Sequence, residues 1–193
     1  TKGKKIRDLF IKNEINYKYF KGNILNEFQE VTKNDGTPFK VFTPFWRNAE
    51  QIYLNQPQSK NYIIKKKTKK ISYFKNCIEP KDILPKKNWY KKFENYWEVS
   101  EFKSKKILKD LLDNKIKNYG SSRDIPSIKG TSCLSASLNT GTISCRKAFL
   151  KVQNLYKLKT SKKNRVSIDT WINELAWREF YQHLLFNFPE LAN

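Results

Sequence analysis

The spacing of apolar residues predicts a chain built mainly from helices. Between residues 98 and 118, apolar side chains recur three and four positions apart, which is the spacing of one buried helix face. The same spacing predicts a helix over residues 45–54 and another that follows Thr142 and runs through Val152. A last helix is predicted to begin at Ile168, after a polar loop over residues 157–165.

Other segments lack this helical spacing. Residues 4–21 predict a short helix followed by an extended stretch, and residues 39–42 alternate like a short strand that Pro44 ends. Residues 56–85 are rich in lysine and contain proline, which predicts an extended linker. Trp89 and Trp97 follow it, and we expect both to pack the linker onto the helices rather than to contact a ligand.

The segment Trp171–Tyr181 concentrates aromatic and charged residues in three helical turns, with Asp169 or Thr170 as the expected cap. Residues three, four and seven apart share a helix face, and here that face holds Trp171, Glu174, Trp177, Arg178 and Tyr181. The opposite side carries Ile172, Leu175, Ala176 and Phe180. Such a helix fits between a core and a pocket, although ordinary core packing with a Glu174–Arg178 pair would give the same pattern.

A second segment, Gly130–Gly141, is dense in small hydroxyl residues and has glycine at each end. Exposed backbone N–H groups and short hydroxyls can hold phosphate oxygens where such a run enters a helix. A plain turn with a helix cap is the alternative, and composition alone does not separate the two.

Four motifs in one order connect these segments to a known family. Tyr119–Pro126 precedes the hydroxyl run, Thr142–Arg146 follows it with Cys145 where proline is usual, and Gly36–Arg47 lies far upstream. Together they resemble the flavin domain of the DNA photolyase and cryptochrome family, most closely the class I cyclobutane pyrimidine dimer photolyases.

The resemblance implies a fold and a division of the chain. Residues 1–43 would be the tail of the α/β (Rossmann-like) antenna-binding domain, and residues 44–97 an interdomain linker with a short helix. Residues 98–193 would be the N-terminal part of the all-helical FAD- and DNA-binding domain. The chain would then be an internal fragment, inactive alone, because the family has a domain before it and further flavin-domain helices after it.

The resemblance also implies a cofactor site. The residues that would bind FAD are Tyr119, Thr131, Ser132, Cys133, Leu134, Ser135, Trp171 and Arg178. Cys133 stands where arginine is usual, so only its backbone contacts would remain. A second antenna chromophore, of folate or deazaflavin type, is expected in the whole protein and has no identifiable site here.

The expected partner is DNA containing pyrimidine dimers. Glu174 and Trp177 would face a flipped-out dimer and act in catalysis, with the indole replacing lost base stacking. Burial beside aromatic rings would keep Glu174 neutral. The residues that would contact DNA are Arg123, Glu174, Trp177, Arg178 and Tyr181, with Arg123 on a phosphate near the lesion.

The implied activity is that of a deoxyribodipyrimidine photo-lyase, a carbon–carbon lyase. It would repair DNA in light by electron transfer from excited reduced FAD to the dimer. A cryptochrome-like blue-light flavoprotein photoreceptor is the alternative, and a non-catalytic basic DNA-binding module is a third possibility.

Composition adds two limits. The net charge of +21 favours nucleic acid, but only six of the 39 basic residues are arginines, so much of this charge reflects a lysine-rich composition. Cys77, Cys133 and Cys145 lack the spacing of a disulfide framework or zinc site, and His183 is expected to pack or lie at the surface. With no apolar run long enough for a membrane span, we expect a monomeric cytoplasmic protein.

Overall fold

The computed structural model of the chain describes residues 2–17, 22–56, 84–157 and 161–192. Seven α-helices lie in these ranges: α1 Lys2–Lys12, α2 Phe42–Asn55, α3 Glu101–Asp110, α4 Tyr119–Ser122, α5 Ser135–Thr140, α6 Cys145–Gln153 and α7 Lys162–Asn187. Short 3-10 helices cover Phe28–Glu30, Asn88–Asn95, Ile116–Asn118, Asn154–Lys157 and Pro189–Ala192. The described ranges contain no β-strand, only one isolated bridge between Thr32 and Pro38, so the mainly α prediction is confirmed.

Helix α7 is the central element of the fold. It packs against α2, α4, α6 and the 3-10 turn Ile116–Asn118. Its buried residues are Ser167, Ile168, Trp171, Ile172, Leu175, Ala176, Glu179, Phe180 and His183. A helix contacted from several directions is buried on more than one face, which explains why no single apolar stripe marks it.

Aromatic rings join α2, α6 and α7 into one core. The Tyr53 and Phe149 ring centroids lie 5.1 Å apart, and those of Phe45 and Phe180 lie 5.2 Å apart. Trp46 meets Phe149 edge-on at 6.0 Å. Edge-to-face pairs add to the area that such rings bury, so these contacts hold α2 on the helical body.

Helix α2 begins earlier than the sequence predicted, and the strand expected over residues 39–42 is absent. Phe42 is the first helical residue and Pro44 the third. The first four N–H groups of a helix have no partner inside it, so proline's missing N–H costs nothing there. Pro44 therefore lies within the first turn of the helix, and interpreting it as a strand end was wrong.

The predicted start of the last helix was also wrong. Ser161 is the N-cap, and its hydroxyl accepts a hydrogen bond from the Asn164 backbone N–H at 3.3 Å. Asp169 and Thr170, the expected caps, lie inside the helix, where the Thr170 hydroxyl bonds the Val166 carbonyl. The first turns hold polar residues without apolar spacing, so periodicity placed the start too late.

The other helix predictions hold with local changes. Ser100 caps α3 by accepting a hydrogen bond from the Lys103 N–H at 3.1 Å, and the helical backbone continues through a π turn at Leu111–Lys115 to Asn118. Helix α1 confirms the short helix predicted near the start of the chain. Most of the predicted linker over residues 56–85 lies outside the described residues. The end of the extended stretch predicted after the first helix, at residues 18–21, also lies outside them.

The first tryptophan after the predicted linker lies at the surface. Trp89 is 62% exposed, and its ring contacts within the described ranges are with its neighbours Tyr90 and Phe93. The expected packing of the linker stays a prediction, because most of the linker lies outside the described residues. The division of the chain at residues 43 and 97 stays a prediction.

Phe149→Ala should lower the free energy of unfolding by about 3–5 kcal/mol, because the ring is fully buried between two aromatic neighbours and its removal leaves a cavity. Chemical denaturation measures the loss. Phe102→Ala is the matched control, since that ring is 72% exposed and should cost less than about 1 kcal/mol. Equal losses in the two variants would contradict this account of the core.

Candidate functional site

A cavity of about 760 Å³ opens between the hydroxyl run and α7. All eight residues implied for cofactor binding line it: Tyr119, Thr131, Ser132, Cys133, Leu134, Ser135, Trp171 and Arg178. The remaining lining residues are Trp97, Leu138, Asn139, Glu174, Leu175 and Gln182. The fold thus brings two segments that lie forty residues apart in sequence to opposite walls of one space.

The hydroxyl run is held in place by its first glycine and by one buried side chain. A Cβ on Gly130 would lie 2.2 Å from the Ser122 carbonyl oxygen, so only glycine permits this approach to α4. Leu134 is 1% exposed and fixes the backbone directly before α5, which forms the second half of the run. Cys133 has φ of 54°, a left-handed conformation that is uncommon for residues other than glycine. The run is therefore a shaped loop over residues 130–134 that leads into a short helix.

The wall formed by α7 spans about 100° of the helix. At about 100° per residue, Trp171, Glu174, Leu175, Arg178 and Gln182 fall in one arc, and all five line the cavity. Leu175 was predicted at the back of the helix, so that part of the face assignment was wrong.

Trp177 and Tyr181 lie beyond this arc and do not line the cavity. The Trp177 ring stacks on Phe42, with centroids 3.8 Å apart and planes at 6°. Tyr181 lies 5.7 Å from Trp177 on the same side of α7. The Trp177 ring is 37% exposed, so these three rings form an aromatic surface beside the cavity. The single front face predicted for the helix is therefore split into two surfaces.

Glu174 lies at the edge of the cavity and pairs with Arg123. Nη1 of Arg123 donates to Oε1 of Glu174, and its Nε donates to Asp124 at 3.0 Å. These two carboxylates raise the pKa of Arg123. The Glu174 side chain is 44% exposed, so the burial expected to keep this acid neutral is absent.

Glu179 is a buried residue that the sequence interpretation missed. It is 5% exposed, and its Oε2 accepts the Leu25 backbone N–H at 2.7 Å. Nη1 of Arg178 donates to Oε1 of Glu179 at 2.9 Å and to the Asn23 carbonyl at 2.9 Å. On the helical wheel this acid falls on the apolar side of α7, and that misplaced charge was the available signal.

Burial decides the ionisation of the groups around Glu179. Desolvation raises the pKa of Glu179 to about 7, opposed by the Leu25 N–H, Arg178 and Arg146. The same cause raises the pKa of the nearby Cys145 thiol to about 12, which makes it a packing residue rather than a nucleophile. Cys133 and Cys145 are both free thiols.

Two further expectations can be compared with the structure. His183 is 1% exposed against Phe45, which confirms a packing role, and burial lowers its pKa. Trp97 is 43% exposed and lines the cavity, and the expectation that it packs rather than contacts a ligand stays a prediction. Within the described residues, no group of three or more His, Cys, Asp or Glu side chains could hold a metal ion.

Comparisons with known proteins show which proteins this chain is similar to. The family model for DNA photolyase matches residues 2–62. A deoxyribodipyrimidine photo-lyase of Agrobacterium fabrum is 32% identical over 90% of this chain, and one of Buchnera aphidicola is 31% identical over 96%. The crystal structure of a bacterial class III photolyase from Agrobacterium tumefaciens superposes with a TM-score of 0.81 and 28% identity over 100% of this chain. The chain belongs to the DNA photolyase family.

The chain corresponds to only part of the length of each relative. The chain spans 35% of the Agrobacterium fabrum relative, 38% of the Buchnera relative and 39% of the solved photolyase chain. The resemblance to class I members within the photolyase family stays a prediction, because the solved photolyase is a class III protein. Among the described residues, no helix is long and apolar enough to cross a membrane.

The raised pKa of Glu179 predicts a pH dependence of stability. Its folded pKa of about 7 exceeds the ordinary value of 4.5, so the folded state holds a proton that the unfolded state has lost. The free energy of unfolding should therefore fall as pH rises from about 5 to about 8, by about 1–3 kcal/mol. Urea denaturation across this range measures it.

Glu179→Gln is the control for this measurement, since its amide cannot ionise and still offers Leu25 an acceptor. The pH-dependent loss should be absent in the variant. If wild type and variant follow the same pH profile, Glu179 does not carry the effect.

Proposed function

We propose that the protein containing this chain is a light-dependent DNA repair enzyme that splits cyclobutane pyrimidine dimers in DNA. Electron transfer from excited reduced FAD to a flipped-out dimer would drive the reaction. The observation that carries the proposal is that all eight residues implied for FAD line one cavity. The named photo-lyases among the relatives support it.

The side chains around the cavity fit a flavin dinucleotide. Thr131, Ser132 and Ser135 offer hydroxyl donors, and Arg178 offers a guanidinium, which suits phosphate oxygens. Trp171 is 3% exposed and contributes a small apolar patch to the cavity wall. Bound FAD would supply the light-driven electron, while these residues hold and orient it.

Glu174 and Arg123 fit the lesion side of the cavity. An ionised Glu174 can accept a hydrogen bond from a pyrimidine N–H, and Arg123 retains N–H donors for a carbonyl or a phosphate. Their hydrogen bond holds both side chains at one edge of the cavity before DNA binds. Charge that develops on the dimer would then meet donors already in position.

The aromatic surface beside the cavity supports a contact with the unstacked DNA. One face of Trp177 is covered by Phe42, and the exposed part of Trp177 lies beside Tyr181. Such rings replace base stacking lost when a nucleotide leaves the duplex. We assign to this surface the stacking role that the sequence gave to Trp177 alone.

The blue-light receptor alternative is not favoured, because the curated relatives compared above are named photo-lyases. The antenna chromophore and the cytoplasmic location stay predictions.

Light-dependent repair is tested directly in the protein that contains this chain. The purified protein should show a flavin spectrum and remove thymine dimers from DNA only under blue light. Glu174→Gln should keep the flavin and lower the repair yield about tenfold or more, since a neutral amide replaces the carboxylate that pairs with Arg123 at the lesion side. Glu94→Gln, at an exposed position in the 3-10 helix Asn88–Asn95, should repair like the wild type. Absence of light-dependent dimer loss would reject the proposed function.

Trp177→Ala should weaken binding to dimer-containing DNA by about 1–3 kcal/mol relative to undamaged DNA, through lost stacking. Titrations with both DNAs measure the preference, and an unfolding curve checks that removal of the Phe42 contact leaves the fold intact. Trp89→Ala is the control, because Trp89 is an exposed tryptophan that is not part of this aromatic surface. An unchanged preference for damaged DNA in the Trp177 variant would remove this residue from the lesion site.

A further inference from the structure

We propose that Glu179 is the positioning residue for Arg178: it anchors one edge of the guanidinium to the loop at residues 23–26, so that the remaining N–H groups point into the cavity. This inference rests on the proposed function, because it assigns to Arg178 the flavin side of the site. The Arg178 assignment comes from the family resemblance, whereas the role of Glu179 comes from the contacts described here.

The contacts divide the guanidinium into two sides. Nη1 of Arg178 donates to the Asn23 carbonyl and to Oε1 of Glu179, both at 2.9 Å, which uses both of its hydrogens. With its amide oxygen turned toward Arg178, Gln182 accepts from Nη2 at 3.2 Å. The Arg178 side chain is 22% exposed, and it lines the cavity. Its orientation is therefore set by Asn23 and Glu179 at Nη1 and by the cavity-lining Gln182 at Nη2.

Glu179 holds those acceptors in place as well as contributing one. Its second oxygen accepts the Leu25 N–H at 2.7 Å, which ties the loop to α7. On the other side of Leu25, the carbonyl accepts from Nη1 of Arg146, whose Nη2 donates to Gln56 at 2.8 Å. One buried carboxylate thus connects the loop, the helix and the cavity arginine.

A contribution to stability alone does not explain why Glu179 is buried. A carboxylate that is 5% exposed carries a desolvation cost, and apolar residues of similar volume in place of a whole buried ion pair are often equally or more stabilising. The raised pKa of Glu179 indicates the same cost. The geometry instead supports a role in orienting Arg178.

Four variants of the protein that contains this chain test the inference: Glu179→Gln, Arg178→Ala, the double variant, and Asp124→Asn. The last is the matched control, since Asp124 also pairs with the arginine that precedes it, at 3.0 Å, but its side chain is 77% exposed. Flavin affinity is measured by fluorescence, and the unfolding midpoint is measured in parallel.

Glu179→Gln should weaken flavin binding about tenfold, because its single acceptor oxygen cannot serve both the Leu25 N–H and Arg178. The unfolding midpoint shows that the variant is folded at the temperature of the flavin titration. The double variant should bind no more weakly than Arg178→Ala, because the glutamate acts through the arginine. Asp124→Asn should stay within about twofold of the wild type. Wild-type affinity in Glu179→Gln, or losses that multiply in the double variant, would overturn the inference.

A flavin-free measurement separates this inference from the proposed function. If the wild type binds no flavin, or Arg178→Ala binds it normally, the flavin-side assignment fails. The side-chain ¹⁵N resonances of Arg178 then decide the positioning role. They should shift or broaden in Glu179→Gln and remain unchanged in Asp124→Asn, whereas the same Arg178 resonances in wild type and Glu179→Gln would overturn it.

Discussion

The burial of α7 on several sides is the constraint on which the rest of the structure depends. Helices α2, α4 and α6 reach it from different directions, so little of its length is left free. Aromatic rings fill the contacts with α2 and α6, and the hydroxyl run faces it across the cavity. The arc at the cavity can present charge and aromatic rings because the surrounding contacts already hold the helix in place.

The polar groups within this helix follow the same constraint. Glu179 lies where an apolar side chain would be expected, and it is satisfied by the Leu25 N–H and Arg178. Glu174, five residues earlier, lies at the cavity edge and meets Arg123. Two glutamates on one helix therefore have different environments, and in the proposed enzyme one would face the lesion while the other would orient an arginine.

Much of the architecture was predictable because helical spacing is a local property. The helices over residues 45–54 and 98–118 appear where apolar periodicity placed them, apart from their ends. The errors came where a cap lay outside the apolar periodicity, as at Ser161, or where proline lay within the first turn of a helix, as at Pro44. The eight residues expected to bind the cofactor were obtained from the family resemblance, and the cavity brings all of them together.

The sequence by itself determined the helical class, the aromatic helix and the order of motifs that identifies the family. Those features depend on residue spacing along the chain and need no knowledge of distant contacts. Only the tertiary structure decided that Trp177 stacks on Phe42 outside the cavity, that Trp97 lines it, and that Glu179 is buried against Leu25. Each of these contacts joins residues from distant parts of the chain, and a local pattern cannot show which face of a helix a distant segment will cover.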